Sequence, residues 1–195
     1  MRTAHLGLAA TIATCVMATS ARAQHTVHFD PASRIIIEGT SNVHRWSCAT
    51  TKFDATAEVP DAPATDFGKA LTSLTVTIPV ASLDCGHGDM NKNLQNAMHA
   101  DKHPTITYRM TSYDATPSAG SYEIVMHGVL TINGVDRPTD VKATVTPNGS
   151  GGASAVGSAS LNTTQFGVKP VSVLLGTLRT SPQVTITLRI TGTRS

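Results

Sequence analysis

Val184-Thr185-Ile186-Thr187-Leu188-Arg189-Ile190-Thr191 alternates an aliphatic residue with a polar one at every step. Successive side chains on an extended chain point to opposite faces, so this stretch makes a strand with one apolar and one polar side. The same period of two recurs in Leu74, Val76, Ile78 and Val80, in Ile106, Tyr108 and Met110, and in Val141, Ala143 and Val145. Tyr122 to Ile132 and Pro170 to Leu178 are further strand candidates, and the former runs into Asn133-Gly134, a strong hairpin-turn signal. Ile35-Ile36-Ile37, Val43 to Val59 and Ala155 to Leu161 complete a set of about eight strands. Gly149 to Gly152 marks a loose hairpin tip. Pro79 cannot donate to a ladder, so it predicts an edge or a bulge.

One stretch breaks this period. From Asp89 to Asp101 the apolar residues Met90, Leu94, Ala97 and Met98 fall at i, i+4, i+7 and i+8, one face of a short helix. Asn91, Lys92 and Gln95 then point away from that face. Asp89 is the expected N-cap, and Pro104 forces the chain out of helix by His103. The fold class expected is therefore all-β and mainly antiparallel, with one short amphipathic helix inserted near the middle. A sheet of about eight strands removes its exposed edges by closing into a barrel. With no internal repeat and no interior linker, the 195 residues read as a single domain.

The first residues read as an address. Arg2 supplies a positive start, Leu6 to Met17 is an uncharged and mostly apolar run, and Ala21-Arg22-Ala23 places small residues at both positions of a signal-peptidase site. The expected boundaries are a signal peptide over 1–23 and a mature domain over 24–195. The apolar run falls short of the ~20 residues that span a bilayer, which argues against an anchor. A lipoprotein reading of Ile12-Ala13-Thr14-Cys15 fits poorly, because Thr precedes the Cys. Either way the mature chain is exported, to the periplasm or beyond, and no later segment could cross a membrane as a helix.

Composition excludes several function classes. Hydrophobic residues make up 40% of the chain and charged ones only 14%, enough to bury a sizeable core. Removing Arg2 and Arg22 with the leader takes Lys+Arg from 15 to 13, against 13 Asp+Glu, so the mature chain is formally neutral. A neutral chain without a basic run releases few counterions from a phosphate backbone, so nucleic acid is not an expected partner.

Leader removal also leaves two cysteines, Cys48 and Cys85, an even number in an exported chain. A disulfide is favoured in an oxidising compartment, with two free thiols or a metal pair as the alternatives. The histidines do not form a convincing metal site. Residues three apart on a strand, as in His25-x-x-His28, face opposite sides. His103 is pulled off the helix that carries His99, and His87 lies in a glycine-flanked loop beside Cys85. No nucleophile elbow, zinc-protease helix, phosphate loop or dinucleotide fingerprint occurs. No acidic pair stands out as an acid/base couple, so no catalytic residue, metal or cofactor is expected.

What remains is apolar surface. An eight-stranded barrel can be filled by its own side chains or can hold one small or elongated ligand. The inward candidates here are mainly Val, Ile, Leu and Ala. Trp46 is the sole tryptophan, Phe53, Phe67 and Phe166 are scattered, and this shortage of bulky fillers leans toward a cavity.

The stretches around the helix resemble a known family. Met90-Asn91-Lys92-Asn93-Leu94, then Met98 and Lys102-His103-Pro104-Thr105-Ile106-Thr107-Tyr108, resemble the helix-to-strand segment of the YceI-like family. Gly39-Thr40-Ser41-Asn42-Val43-His44-Arg45-Trp46-Ser47-Cys48 is similar to that family's early strand. Gly128-Val129-Leu130-Thr131-Ile132-Asn133-Gly134-Val135 resembles its "G-x-L-T-I-x-G" stretch, followed at a fitting interval by Asp140-Val141. Gln165-Phe166-Gly167-Val168 sits where an "F-G" element belongs. The four pieces occur in the family's order and cover about residues 25 to 192.

The resemblance implies an extended, lipocalin-like antiparallel barrel with an amphipathic helix at its mouth. It also implies an exported protein holding a polyisoprenoid or similar amphiphile for transport, storage or scavenging. Trp46, Met90, Leu94, Met98, Ile106, Tyr108, Leu130 and Ile132 are then the expected ligand-binding residues. One departure stands out: a glycine-rich "G-x-F-x-G-x-F" run is replaced by Trp46-Ser47-Cys48-Ala49-Thr50-Thr51-Lys52-Phe53, which resembles a branch with "H-x-W" and a nearby cysteine. The alternative is a secreted stress-protection or interaction domain with a filled barrel, accessory to a membrane redox system. Ligand identity and oligomeric state, a homodimer included, stay open at this point.

Overall fold

A computed structural model describes residues 24–58, 71–148 and 152–194. The leader reading, Val59, Phe67 and most of the Gly149–Gly152 tip lie outside the described residues. The strands are β1 (Gln24–Phe29), β2 (Arg34–Ser41), β3 (Arg45–Thr50), β4 (Asp54–Glu58), β5 (Ser73–Pro79), β6 (Thr105–Ser118), β7 (Ser121–Ile132), β8 (Val135–Pro147), β9 (Gly152–Asn162), β10 (Ser172–Val173) and β11 (Leu178–Arg194). The single α-helix among the described residues, α1, spans Gly88–Ala97 between β5 and β6.

Every pairing is antiparallel, and the order β1-β4-β5-β6-β7-β8-β9-β11 returns to β1 through Val27↔Arg194 and Phe29↔Gly192. The sheet thus curls onto itself, and β2–β3 extends it as a hairpin on β11. Among the described residues eleven strands replace the expected eight or so, chiefly because two long strands are each broken in two. β1 and β2 lie end to end along β11, and β3 and β4 follow one another on the next position.

Hydroxyl groups bridge both breaks. At Asp30–Ser33 the buried Ser33 donates from Oγ to the Thr191 carbonyl and accepts from the Thr191 amide, standing in for a ladder residue. At 51–53 the buried Thr50 Oγ1 accepts from the Lys52 amide and meets Ser82 Oγ at 2.8 Å. A buried polar group without a partner is costly, so these side chains make the interruptions tolerable. Period-two reading sees residue types along one strand and is blind to such cross-strand repair. That is why Val43 to Val59 read as one element and β1 was not identified.

The Pro79 expectation of an edge is met locally, at the end of β5. Pro79 ends β5 opposite Thr105, beyond the last β4 partner at Asp54↔Thr77, and a 3-10 turn over Val80–Ser82 follows. Its missing N–H falls where no strand waits on that side. The Pro170 to Leu178 candidate contracts to the two-residue β10, because Leu174–Gly176 forms a turn with Leu175 at φ 55°. Asn133 and Gly134, at φ 53° and 71°, make the expected tight turn between β7 and β8.

The helix boundaries also move. The N-cap is His87 rather than Asp89, which sits in the first turn, where its charge opposes the positive end of the helix dipole favourably. Helix α1 ends at Ala97, well before Pro104, with His99 in the left-handed region at φ 48°. The Ala100 amide donates to the Gln95 carbonyl and the His99 amide to that of Asn96, the paired bonds of a Schellman end.

Two glycines let aromatic rings lie flat on the sheet. Gly39 pairs with Trp46 across β2–β3, and a Cβ there would strike the indole. A Cβ on Gly128 would stand 2.6 Å from the Tyr108 hydroxyl and 2.6 Å from the Arg109 carbonyl. Both rings are thereby directed into the space enclosed by the sheet.

Candidate functional site

That space is not filled. The alternating faces of β2, β5, β6, β7, β8, β9 and β11 enclose a cavity of ≈ 160 Å³. Ile35 and Ile37, Leu74, Val76 and Ile78, Ile106 and Tyr108, Met126, Leu130 and Ile132, and Val184, Ile186 and Leu188 form its wall. Leu94 and Met98 close it from the helix, and Phe166 closes it from the turn after β9. No charged side chain lines it. An apolar cavity of about this size stays dry and admits a benzene-sized guest.

A second compartment of ≈ 210 Å³ lies between α1, β3, the 168–171 segment and the start of β11. Trp46, Leu94, Thr163, Val168 and Val184 line both compartments, so they form the partition between them. The outer one is mixed in character: Met90, Ala97 and Leu178 meet His44, Asn93, Lys169 and Thr180. Of the expected ligand-binding residues, Trp46, Leu94, Met98, Ile106, Tyr108, Leu130 and Ile132 line the inner cavity, and Met90 lines only the outer one.

The helix is held over this opening by its N-terminal side. Cys48 and Cys85 form a disulfide that joins β3 to the loop before α1, and both line the outer compartment. Asn91 was expected to point away, yet its Oδ1 accepts from the Cys85 amide at 2.7 Å and its Nδ2 donates to Asp84. That bond, followed by one from the Gly86 amide, holds the Asp84 carboxyl below its ordinary pKa. Asn91 thus tethers the helix to the loop before it.

The other end of the helix is tied through the β7–β8 turn. Asn133 Oδ1 meets His99 Nδ1 at 2.8 Å, Asn133 Nδ2 donates to the Phe166 carbonyl, and the His103 ring lies where a Cβ on Gly134 would be. Phe166 is 1% exposed, and Gly167 at φ 70° turns the chain behind it. The Asn-Gly dipeptide signals a hairpin, but its side-chain duties to helix and plug carry no periodic signal. Phe166 reads in the sequence as a scattered aromatic and as part of the family-like "F-G" element, and its role as a stopper depends on the 3-10 turn Thr163–Phe166.

Tyr108 brings a phenol hydroxyl to the wall, and it is satisfied. Its hydroxyl donates to the Met126 carbonyl at 3.0 Å, with the Thr139 carbonyl at 3.3 Å. Burial foremost, and the Asp140 charge second, push the phenol up to about 12. The inner cavity thus offers no titrating group near neutral pH and recognises its contents by shape and apolar contact.

One histidine and two aspartates do meet on the outer face. His127 Nδ1 meets Asp140 at 2.8 Å and Nε2 meets Asp114 at 3.3 Å. The bond to Asp140, then that to Asp114, raises the His127 pKa. A raised value means stabilisation that is complete below the ordinary histidine pKa and is lost as pH rises through the folded value. Melting temperature should therefore fall slightly across about pH 6 to 8, and His127→Gln should flatten that slope. An unchanged slope in the variant would remove His127 as its source. Among the described residues no group of three or more His, Cys, Asp or Glu is arranged to hold a metal ion. No helix among them is long and apolar enough to cross a membrane.

The YceI-like domain family model matches residues 21–192. The chain belongs to the YceI-like family. A UPF0312 protein of Pseudomonas paraeruginosa is 34% identical over 101 residues, a match covering 48% of this chain and 51% of the relative. One from Shewanella sp. is 25% identical over 124 residues, 63% of each chain. The chain thus matches little more than half the length of the first of these relatives. Among solved structures, BcnA of Burkholderia cenocepacia is similar with a TM-score of 0.66 at 23% identity, over 84% of this chain and 99% of that one. A polyisoprenoid-binding domain from Saccharophagus degradans, implicated in plant cell wall breakdown, reaches 0.64 at 11% identity, over 89% and 99%. At these identities both likenesses establish the YceI-like fold alone.

Proposed function

We propose that this YceI-like protein binds a polyisoprenoid or similar long amphiphile, and that it is not an enzyme. The observation that carries the reading is the pair of adjoining compartments, the inner one without a charged side chain and the outer one edged by Lys169, His44 and Asn93. An apolar chain would pass the Trp46–Leu94 partition into the barrel, leaving its polar end outside. Burying ~400 Å² of apolar ligand surface gives roughly 10 kcal/mol before the cost of immobilising the chain. The fold shared with a domain described as polyisoprenoid-binding supports the ligand class. The leader-like 1–23 segment and the Cys48–Cys85 bond support export, with residues 24–195 as the mature carrier or scavenger.

Native mass spectrometry of protein purified from its own compartment is the direct test. A complex heavier than the mature chain by one lipid mass is expected, and Leu94→Asp should lose that mass while remaining folded. Lipid-free spectra, together with no uptake of a fluorescent prenyl probe by the parent protein, would overturn the reading.

A further inference from the structure

Among the described residues three large hydrophobic side chains are exposed, Val43 at 69%, Val156 at 58% and Leu175 at 109%. Val156 stands alone on the outer wall in β9. Val43 and Leu175 belong to one structure. Val43 is at the tip of the β2–β3 hairpin and Leu175 is in the turn before β11, and Asn42 joins these two tips. Its Nδ2 donates to the Thr177 carbonyl at 2.8 Å, its amide to the Arg179 carbonyl, and its Oδ1 accepts from the Arg179 amide. Leu175 is held out with φ at 55°, in the left-handed region that is costly for a residue other than Gly or Asn. An apolar side chain kept in water by a disfavoured backbone has no folding role in the chain itself.

The charge around this rim has one sign. Arg45 and His44 follow Val43, Lys169 and Arg179 flank the turn carrying Leu175, and Arg179 Nε donates to the Gly176 carbonyl. No Asp or Glu occurs from Gly39 to Phe53, nor anywhere after Asp140. The acids on this end, Asp84 and Asp89, belong to the loop and first turn on the helix side. The rim also borders the outer compartment, whose wall includes His44, Lys169 and Leu178. Aliphatic side chains projecting from a basic rim complement an anionic lipid surface, where tails take up the former and headgroups attract the latter.

We infer that the Val43–Leu175 rim docks the barrel mouth on an anionic phospholipid membrane, so that the mouth opens toward the bilayer. The inference rests on the lipid-binding reading for its purpose, but the surface is tested separately. Flotation of the full mature protein with phosphatidylcholine vesicles, with and without phosphatidylglycerol, is the experiment. Binding should require phosphatidylglycerol and fall with added salt. Val43→Ser combined with Leu175→Asn should weaken it at least about tenfold, by loss of inserted apolar surface. Arg45→Gln should weaken it about fivefold, the share of one basic residue near a charged surface. Melting temperature should not fall, since Asn tolerates the backbone at 175 better than Leu, and uptake of a monomeric prenyl probe from solution should be unchanged, since neither change touches the cavity.

Failure of the parent protein to float, or equal flotation of the apolar double variant, overturns the docking surface. So does a concentration-dependent dimer that the double variant abolishes while vesicles go unbound, which would make the rim a contact between copies. Vesicle binding without probe uptake would instead keep the docking surface and remove the carrier reading.

Discussion

Leu130→Phe is expected to leave the protein folded and to block the inner cavity. Leu130 is buried, lies opposite Tyr108 in the β6–β7 ladder, and faces the ≈ 160 Å³ space. In a filled core the added ring would force neighbours off their rotamers at ~1–3 kcal/mol. Here the ring has room, so a cost below ~1 kcal/mol is expected by comparison with such overpacking. The ligand loses what the ring takes. Displacing ~100 Å² of apolar contact weakens binding by ~2.5 kcal/mol, close to a hundredfold in the dissociation constant. Denaturant unfolding and titration with a fluorescent prenyl probe separate the two effects. A strongly destabilised variant, with no probe bound by the parent, would mean that the barrel is a solid core.

Opening the Cys48–Cys85 bond should cost stability and loosen the mouth together. The bond closes a separation of 37 residues, and removing such a constraint from the unfolded chain costs ~4 kcal/mol on the chain-entropy account. For a domain of this size that is a fall of about 10 °C in melting temperature. The bond also anchors the loop to which Asn91 of α1 is hydrogen-bonded, so probe release should quicken on reduction or in a Cys48→Ser, Cys85→Ser variant. Thermal melts with and without reductant, paired with probe dissociation rates, check both parts. Unchanged stability and release after verified reduction would show that the crosslink holds nothing that the hydrogen bonds do not.

Much of this architecture was legible in residue order. Val184, Ile186 and Leu188 turn the same face inward along β11, and Ile106 and Tyr108 do so along β6. These contacts follow from a two-residue repeat that no other regular structure satisfies. Asn133-Gly134 marked its turn because only residues tolerant of positive φ serve there. Met90, Leu94 and Met98 share one side because helical spacing puts them there. What failed did so where backbone geometry answers to partners far along the chain. The breaks at Asp30–Ser33 and at 51–53 depend on Thr191 and Ser82, and the helix N-cap shifted to His87 because Asn91 and the disulfide hold the preceding loop.

The sequence by itself determined an antiparallel β protein with one amphipathic helix, and which side chains could face an apolar interior. Periodicity is a local property, so it needs no knowledge of neighbours. Whether that interior is packed or open was decided only in three dimensions, by the closure of β1 against β11 and by Phe166, Trp46 and the helix meeting around unfilled space. A cavity is a deficit of volume summed over residues from many strands, and no single stretch of chain contains that sum.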